Sequence, residues 1–123
     1  MKLIIIDNYD SFTYNLVHYL EPYCKEITIF RNDEINHDLI SNEHKILLSP
    51  GPGLPLENKE LNYSIEKYHL SNNIIGVCLG FQAIGQFFGA ELHNLKKVRH
   101  GIQTQIEILN HDFLFKNVPN NIN

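Results

Sequence analysis

Short apolar runs alternate with segments of helical spacing along this chain. Residues 2–6 (Lys-Leu-Ile-Ile-Ile) form a continuous β-branched run, the pattern of a strand buried on both faces. Residues 12–20 then predict a helix with Phe12, Leu16, Tyr19 and Leu20 on one face. Asp10 or Ser11 is its candidate N-cap, and Pro22 stops it. Residues 26–30 read as a second strand, residues 35–41 as a short helix and residues 45–48 as a third strand. Ser49-Pro50-Gly51-Pro52-Gly53-Leu54-Pro55 is a rigid turn, because neither a helix interior nor a central strand accommodates that density of Pro and Gly. Residues 56–70 predict a helix with Leu61, Ile65 and Tyr68 inward. Residues 73–77 predict a fourth strand and residues 79–88 the following helix, broken at Gly89. Ala90-Glu91-Leu92 starts a fifth strand. Residues 102–109 alternate as a half-buried strand, with Ile102, Thr104, Ile106 and Ile108 on one side. Strands alternating with helices specify an α/β fold, a doubly wound and mainly parallel sheet with flanking helices. Such a sheet carries its ligand beyond the carboxyl ends of its strands. Three unusual loops follow strands here, residues 7–11, residues 49–55 and the turn at Cys78, and this fold gathers all three at one edge.

Length and composition narrow the class. A chain of 123 residues with 43% hydrophobic and 20% charged residues is an ordinary globular composition, enough for one domain. The net charge of −4 and scattered basic residues give no electrostatic footprint for nucleic acid. The apolar run at the N-terminus is too short for a signal peptide or a membrane span, so cytoplasm is the expected location. Cys24 and Cys78 form no CxxC or Cys/His ligand spacing, and no structural metal site is expected.

The chemistry concentrates at Gly76-Val77-Cys78-Leu79-Gly80. A small residue on either side of a potential nucleophile, between a strand and a helix, is the pattern of a nucleophile elbow. The glycines Gly76 and Gly80 fit a turn too crowded for a Cβ. Cys78 then lies at a helix N-terminus, where the macrodipole and unpaired N–H groups favour thiolate. The competing reading is a buried structural cysteine, which the two flanking glycines disfavour. A thiolate attacking a carbonyl needs donors for the developing oxyanion. The backbone N–H of Leu79 is one, and the Gly51-Pro52-Gly53 loop can bring a second, since glycine lets backbone approach a ligand closely.

Four motifs occur in order: Asp7-Asn8-Tyr9-Asp10-Ser11-Phe12-Thr13-Tyr14-Asn15-Leu16, Ser49-Pro50-Gly51-Pro52-Gly53, Gly76-Val77-Cys78-Leu79-Gly80-Phe81-Gln82-Ala83-Ile84, and His100-Gly101. Together they resemble the class I glutamine amidotransferases, specifically the glutaminase subunit of anthranilate synthase or aminodeoxychorismate synthase. The resemblance covers nearly the whole chain. It implies that Cys78 attacks the side-chain amide of glutamine, releases ammonia and forms a glutamyl thioester that water hydrolyses. It further implies that Gly51, Pro52, Gly53 and Leu79 bind the substrate carbonyl and oxyanion, and that Gln82 contacts glutamine. Ammonia would pass to a chorismate-using synthase subunit. No cofactor, metal, nucleic acid or membrane enters this scheme.

Two features depart from the family pattern. Phe81 stands where the family usually has His, a position that is not the catalytic base. The family also completes its triad with a His-x-Glu pair near its C-terminus, and none of His18, His37, His44, His69, His93, His100 or His111 is followed two residues later by Glu. Nothing in the spacing places His100 or His111 within reach of the thiol. Residues 1–123 therefore read as a single amidotransferase domain truncated before the His-x-Glu segment, its fold incomplete at the C-terminus and its hydrolysis impaired. The alternatives are a non-catalytic remnant that only binds the synthase subunit, or a different cysteine enzyme, a hydrolase or redox protein, on the same elbow. The residues leave both chorismate-using pathways open.

Overall fold

The β-branched runs pair with one another. In a computed structural model that describes every residue except Val98, His100 and Asn123, Lys2–Asp7 (β1), Glu26–Arg31 (β2), His44–Leu48 (β3) and Ile74–Gly76 (β4) form one parallel sheet in the order β2-β1-β3-β4. Ile5 lies opposite Ile29 on one side and Leu47 on the other, and Leu48 lies opposite Gly76. The chain turns outward from β1 to β2 and then back past β1 to β3, so the topological switch falls between β1 and β3. Ligands bind at the carboxyl side of such a crevice.

Alternate side chains of the strands feed two cores. Ile4, Ile6, Ile46 and Leu48 pack against Leu61, Ile65 and Tyr68 of Lys59–Tyr68 (α2) and against Leu79 and Ala83 of Leu79–Phe87 (α3). Leu3, Ile5 and Leu47 face the other way, onto Val17 of Thr13–Leu20 (α1), with Leu16, Leu20, Cys24 and Val77 around them. Covering both faces is what continuous apolar strands require, and it confirms the doubly wound α/β class. The inward face of α2 is the one the spacing predicts, and its first turn is capped by Asn58, whose Oδ1 accepts the Leu61 N–H at 3.0 Å.

Helix α1 keeps only half of the face its apolar spacing suggests, since Leu16 and Leu20 pack on the core but Phe12 and Tyr19 do not. Phe12 is 45% exposed and Tyr19 70%, whereas Thr13 and Val17 are buried. The Thr13 hydroxyl donates to Asp7 Oδ1 at 2.8 Å, and this bond to the end of β1 sets the rotation of the helix. Asp10 does not take the N-cap position, which is Phe12. Its carboxylate instead accepts the Phe12 N–H at 2.7 Å. The short helix expected over residues 35–41 contracts to a single 3₁₀ turn, His37–Leu39, opened by Asn36.

Met1–Leu92 form one unit, and the segment from His93 onward forms a second. The fifth strand expected at Ala90–Leu92 does not form. Within residues 102–109 only Ile106–Glu107 (β5) is a strand, paired antiparallel with Asn121–Ile122 (β6). Ile102 and Ile106 are exposed and only Ile108 is buried, so the alternation there does not mark a buried face. A two-residue partner cannot extend a ladder along the rest of the segment.

Two features of α2 yield predictions. Ser64 is 1% exposed, and its hydroxyl has no hydrogen-bond partner. Ser64→Ala removes that desolvated group and improves helix propensity, so it is expected to raise stability by about 1 kcal/mol. Chemical denaturation measures it, and a lowered midpoint would show that the hydroxyl is satisfied. His37 Nδ1 lies 2.7 Å from the Tyr68 hydroxyl, and its ring stacks on Tyr68. Burial, with the Lys67 charge nearby, holds the His37 pKa below its ordinary value. The folded state therefore binds fewer protons there than the unfolded chain. The resulting stability is present above pH ~6.5 and lost as pH falls through the folded pKa. The melting-temperature difference between wild type and His37→Phe is expected to shift against the wild type between pH 7.5 and 5. A difference that stays constant with pH counts against this assignment.

Candidate functional site

The fourth strand delivers the cysteine. The Val77 N–H still bonds to Leu48 O at 3.0 Å, and the chain then turns through Cys78 at φ 53° and ψ −109° before α3 begins at Leu79. A side-chain-bearing residue is rarely found there, and such strain persists only where surrounding structure enforces it. The enforcement is visible. A Cβ on Gly76 would collide with the Gly80 backbone and Phe81 N, and a Cβ on Gly80 would lie 2.6 Å from Leu48 Cβ. Both elbow glycines are sterically required. Cys78 is exposed, its carbonyl accepts the Gln82 N–H at 2.9 Å, and Gln82 sits half-buried on the first turn of α3.

The Pro-Gly loop after β3 reaches the elbow through one residue. A Cβ on Gly51 would stand 2.5 Å from Asn8 Cβ on one side and 2.9 Å from Leu79 Cδ2 on the other, so the loop backbone is wedged between β1's exit and the elbow. The Leu79 side chain is buried in the core beneath it. Pro52 and Gly53 are exposed, and Gly53 has φ 80°. They line an open cleft of about 350 Å³ with Asn32, Leu54 and Glu57, whose lining does not include Cys78. Of the residues singled out from sequence, Gly51, Leu79, Gly76, Gly80 and Cys78 thus form one packed unit, joined to Gln82 through the backbone, while Pro52 and Gly53 extend from it.

The loop after β1 supplies what sequence reasoning missed. Asn8 is 2% exposed. Its N–H donates to Ser49 Oγ at 2.8 Å and its Nδ2 to Ser49 O at 2.9 Å, while its Oδ1 accepts from Asn32 Nδ2 at 3.1 Å and from Asn58 Nδ2 at 3.4 Å. Ser49 Oγ in turn donates to Pro50 O at 2.6 Å. Next to this lock Tyr9 is held at φ 62°. Its hydroxyl donates to both carboxylate oxygens of Asp33, at 2.6 and 2.8 Å, and that bond raises its pKa. Arg31 lies over its ring. The available signal was an Asn and a Ser immediately after two buried strands.

Five histidines have partners elsewhere: His18 with Glu21, His37 with Tyr68, His44 with Ser41, His69 with Phe87 and Phe88, and His111 with Phe115 O and Asn120. His100, of the His100-Gly101 motif, lies outside the described residues. Among the described residues no group of three or more His, Cys, Asp or Glu could hold a metal ion. Among them, too, no helix is long and apolar enough to cross a membrane.

The chain is 41% identical to anthranilate synthase component 2 of Pyropia yezoensis, over 96% of this chain and 63% of that protein. It is 45% identical to anthranilate synthase component 2 of Pseudomonas aeruginosa, over 80% of this chain and 50% of that protein. It thus spans between half and two thirds of the length of these relatives. In three dimensions it matches a Thermoplasma acidophilum protein described as part of a GMP synthase, with a TM-score of 0.79 and 24% identity, over 98% of this chain and 61% of that one, a likeness of fold alone. The model of the glutamine amidotransferase class-I family matches residues 4–123, and the chain belongs to that family.

Proposed function

We propose that this chain is the thiol-bearing part of a glutaminase that supplies ammonia to a chorismate-using synthase subunit. The carrying observation is the strained, exposed Cys78 at an elbow with the Gly51 loop packed on Leu79. In this reading the Cys78 thiolate attacks the glutamine side-chain carbonyl. The Leu79 N–H and the Gly51-Pro52-Gly53 loop stabilise the oxyanion. Ammonia leaves, and water releases glutamate from the thioester. Gln82 helps to hold the substrate. The names of the relatives support anthranilate formation over aminodeoxychorismate formation. Residues 1–123 are the N-terminal portion of one amidotransferase domain, and the base and its orienting carboxylate come from a His-x-Glu pair outside them. These 123 residues alone are expected to hydrolyse glutamine poorly. A second reading, binding to the synthase subunit without catalysis, draws on the engagement of five histidines elsewhere.

Alkylation of the protein with its His-x-Glu segment present, by a γ-diazoketone glutamine analogue, tests the proposal. Expected is one label per chain, at Cys78, slowed by added glutamine and accompanied by ammonia release in the unlabelled protein. Label without turnover supports the binding-only reading. Labelling that glutamine does not slow, at a rate matching that of iodoacetamide, points to a different cysteine enzyme and overturns both.

A further inference from the structure

We infer that Asn8 is a positioning residue that fixes the Gly51 loop against the elbow, and so sets where the second oxyanion donor stands. This rests on the reading of that loop as an oxyanion site. The placement is specific. β1 and β3 are the strands between which the sheet's direction of winding reverses, and Asn8 and Ser49 are the first residues beyond their carboxyl ends. Two hydrogen bonds close that gap, one from the Asn8 backbone and one from its side chain, both to Ser49. Ser49 begins the loop, and its hydroxyl also turns back on Pro50 O, so the loop leaves β3 in one direction. The remaining acceptor of Asn8 is used by Asn32, beyond β2, and by Asn58, the N-cap of α2. One buried amide therefore ties together the exits of three strands and the start of one helix. Its Cβ is also the surface on which Gly51 rests, opposite Leu79.

A buried amide with every partner on a different loop is a costly group to leave half-paired. Its loss does not touch the thiol directly, because the elbow is enforced by Gly76, Gly80 and Leu48. Asn8→Ala should therefore displace the oxyanion loop while leaving Cys78 in place. An oxyanion donor moved off station costs about 10²-fold in turnover. Alkylation by iodoacetamide needs no oxyanion donor and reports on the thiol alone.

The test uses the protein with its His-x-Glu segment present and normalises turnover to the number of iodoacetamide-titratable Cys78 thiols. Asn8→Ala is expected to lower kcat per thiol about 100-fold, with KM for glutamine and the iodoacetamide rate each within about threefold of wild type. Amide hydrogen exchange at Ser49, whose buried N–H donates to Ile6 O at 3.0 Å, should accelerate, while exchange at Ile5 and Leu47 stays slow. An unchanged kcat per thiol overturns the inference, as does a parallel fall in iodoacetamide reactivity, which would mark a general structural role. If Asn8→Ala does not fold, Ser49→Ala, which removes the acceptor for the Asn8 N–H, carries the same measurements. Hydrogen exchange does not depend on turnover. A wild type that fails the diazoketone test would sink the glutaminase reading, and unchanged exchange at Ser49 would separately sink the role of Asn8.

Discussion

Alanine at Gly80 is expected to destabilise the protein by about 3 kcal/mol and to disable the elbow. The added Cβ would lie 2.6 Å from Leu48 Cβ and 2.8 Å from Leu48 C, and closer still to Leu48 O. Leu48 cannot yield. It is fully buried, is paired within the sheet, and its carbonyl accepts the Val77 N–H that leads into Cys78. Helix α3 must therefore lift away, which loosens Leu79 and Ala83 from the core and carries Cys78 out of its turn. A control lies five residues along the same helix. A Cβ at Gly85 would meet only Ala90 Cβ, at 3.6 Å, an ordinary contact. Gly85→Ala is expected to stabilise by ~0.5–1 kcal/mol, through reduced backbone entropy of the unfolded chain. One substitution type in one helix thus changes sign with position. Urea denaturation and the iodoacetamide reactivity of Cys78 measure both variants. A Gly80→Ala protein as stable as wild type would mean that the close approach of α3 to β3 is not what shapes the elbow.

Much of this arrangement is written in local pattern. The apolar runs of β1, β3 and β4 and the inward face of α2 are periodicities, and the elbow is a spacing of two glycines about a cysteine. Local pattern fails where a contact between distant residues decides the outcome. The rotation of α1 is set by the Thr13–Asp7 hydrogen bond, which moves Phe12 and Tyr19 to the surface although their spacing matches Leu16. The alternation of residues 102–109 describes a strand, but strands are made by partners, and among the described residues only Asn121–Ile122 is offered. The Asn8–Ser49 lock spans 41 positions. Either residue alone reads as ordinary loop chemistry, and only the parallel pairing of β1 with β3 makes them neighbours. The turn at Cys78 is therefore legible from sequence, and the device that orients its neighbouring loop is not.

The strain at Cys78 separates stability from activity. Its φ of 53° with ψ −109° is hard for any residue bearing a Cβ. The mirror image of that pair, with both signs reversed, is ordinary extended backbone, so glycine reaches it without penalty. Cys78→Ala keeps the strain, and Cys78→Gly releases it. Strain of this kind costs on the order of 1–3 kcal/mol, against about 0.5–1 kcal/mol of extra chain entropy for glycine. Cys78→Gly is therefore expected to be about 1 kcal/mol more stable than Cys78→Ala in denaturation experiments. Both variants lose the thiol, and under the glutaminase proposal glutamine hydrolysis by the protein with its His-x-Glu segment should fall by on the order of 10⁴-fold or more in each. Equal stability of the two variants would place the strain elsewhere than at the elbow. Ammonia release that survives Cys78→Ala would remove Cys78 from the reaction. If both expectations hold, the elbow keeps an energetically unfavourable conformation whose role is to hold a thiol exposed above the sheet, beside the loop that Asn8 anchors.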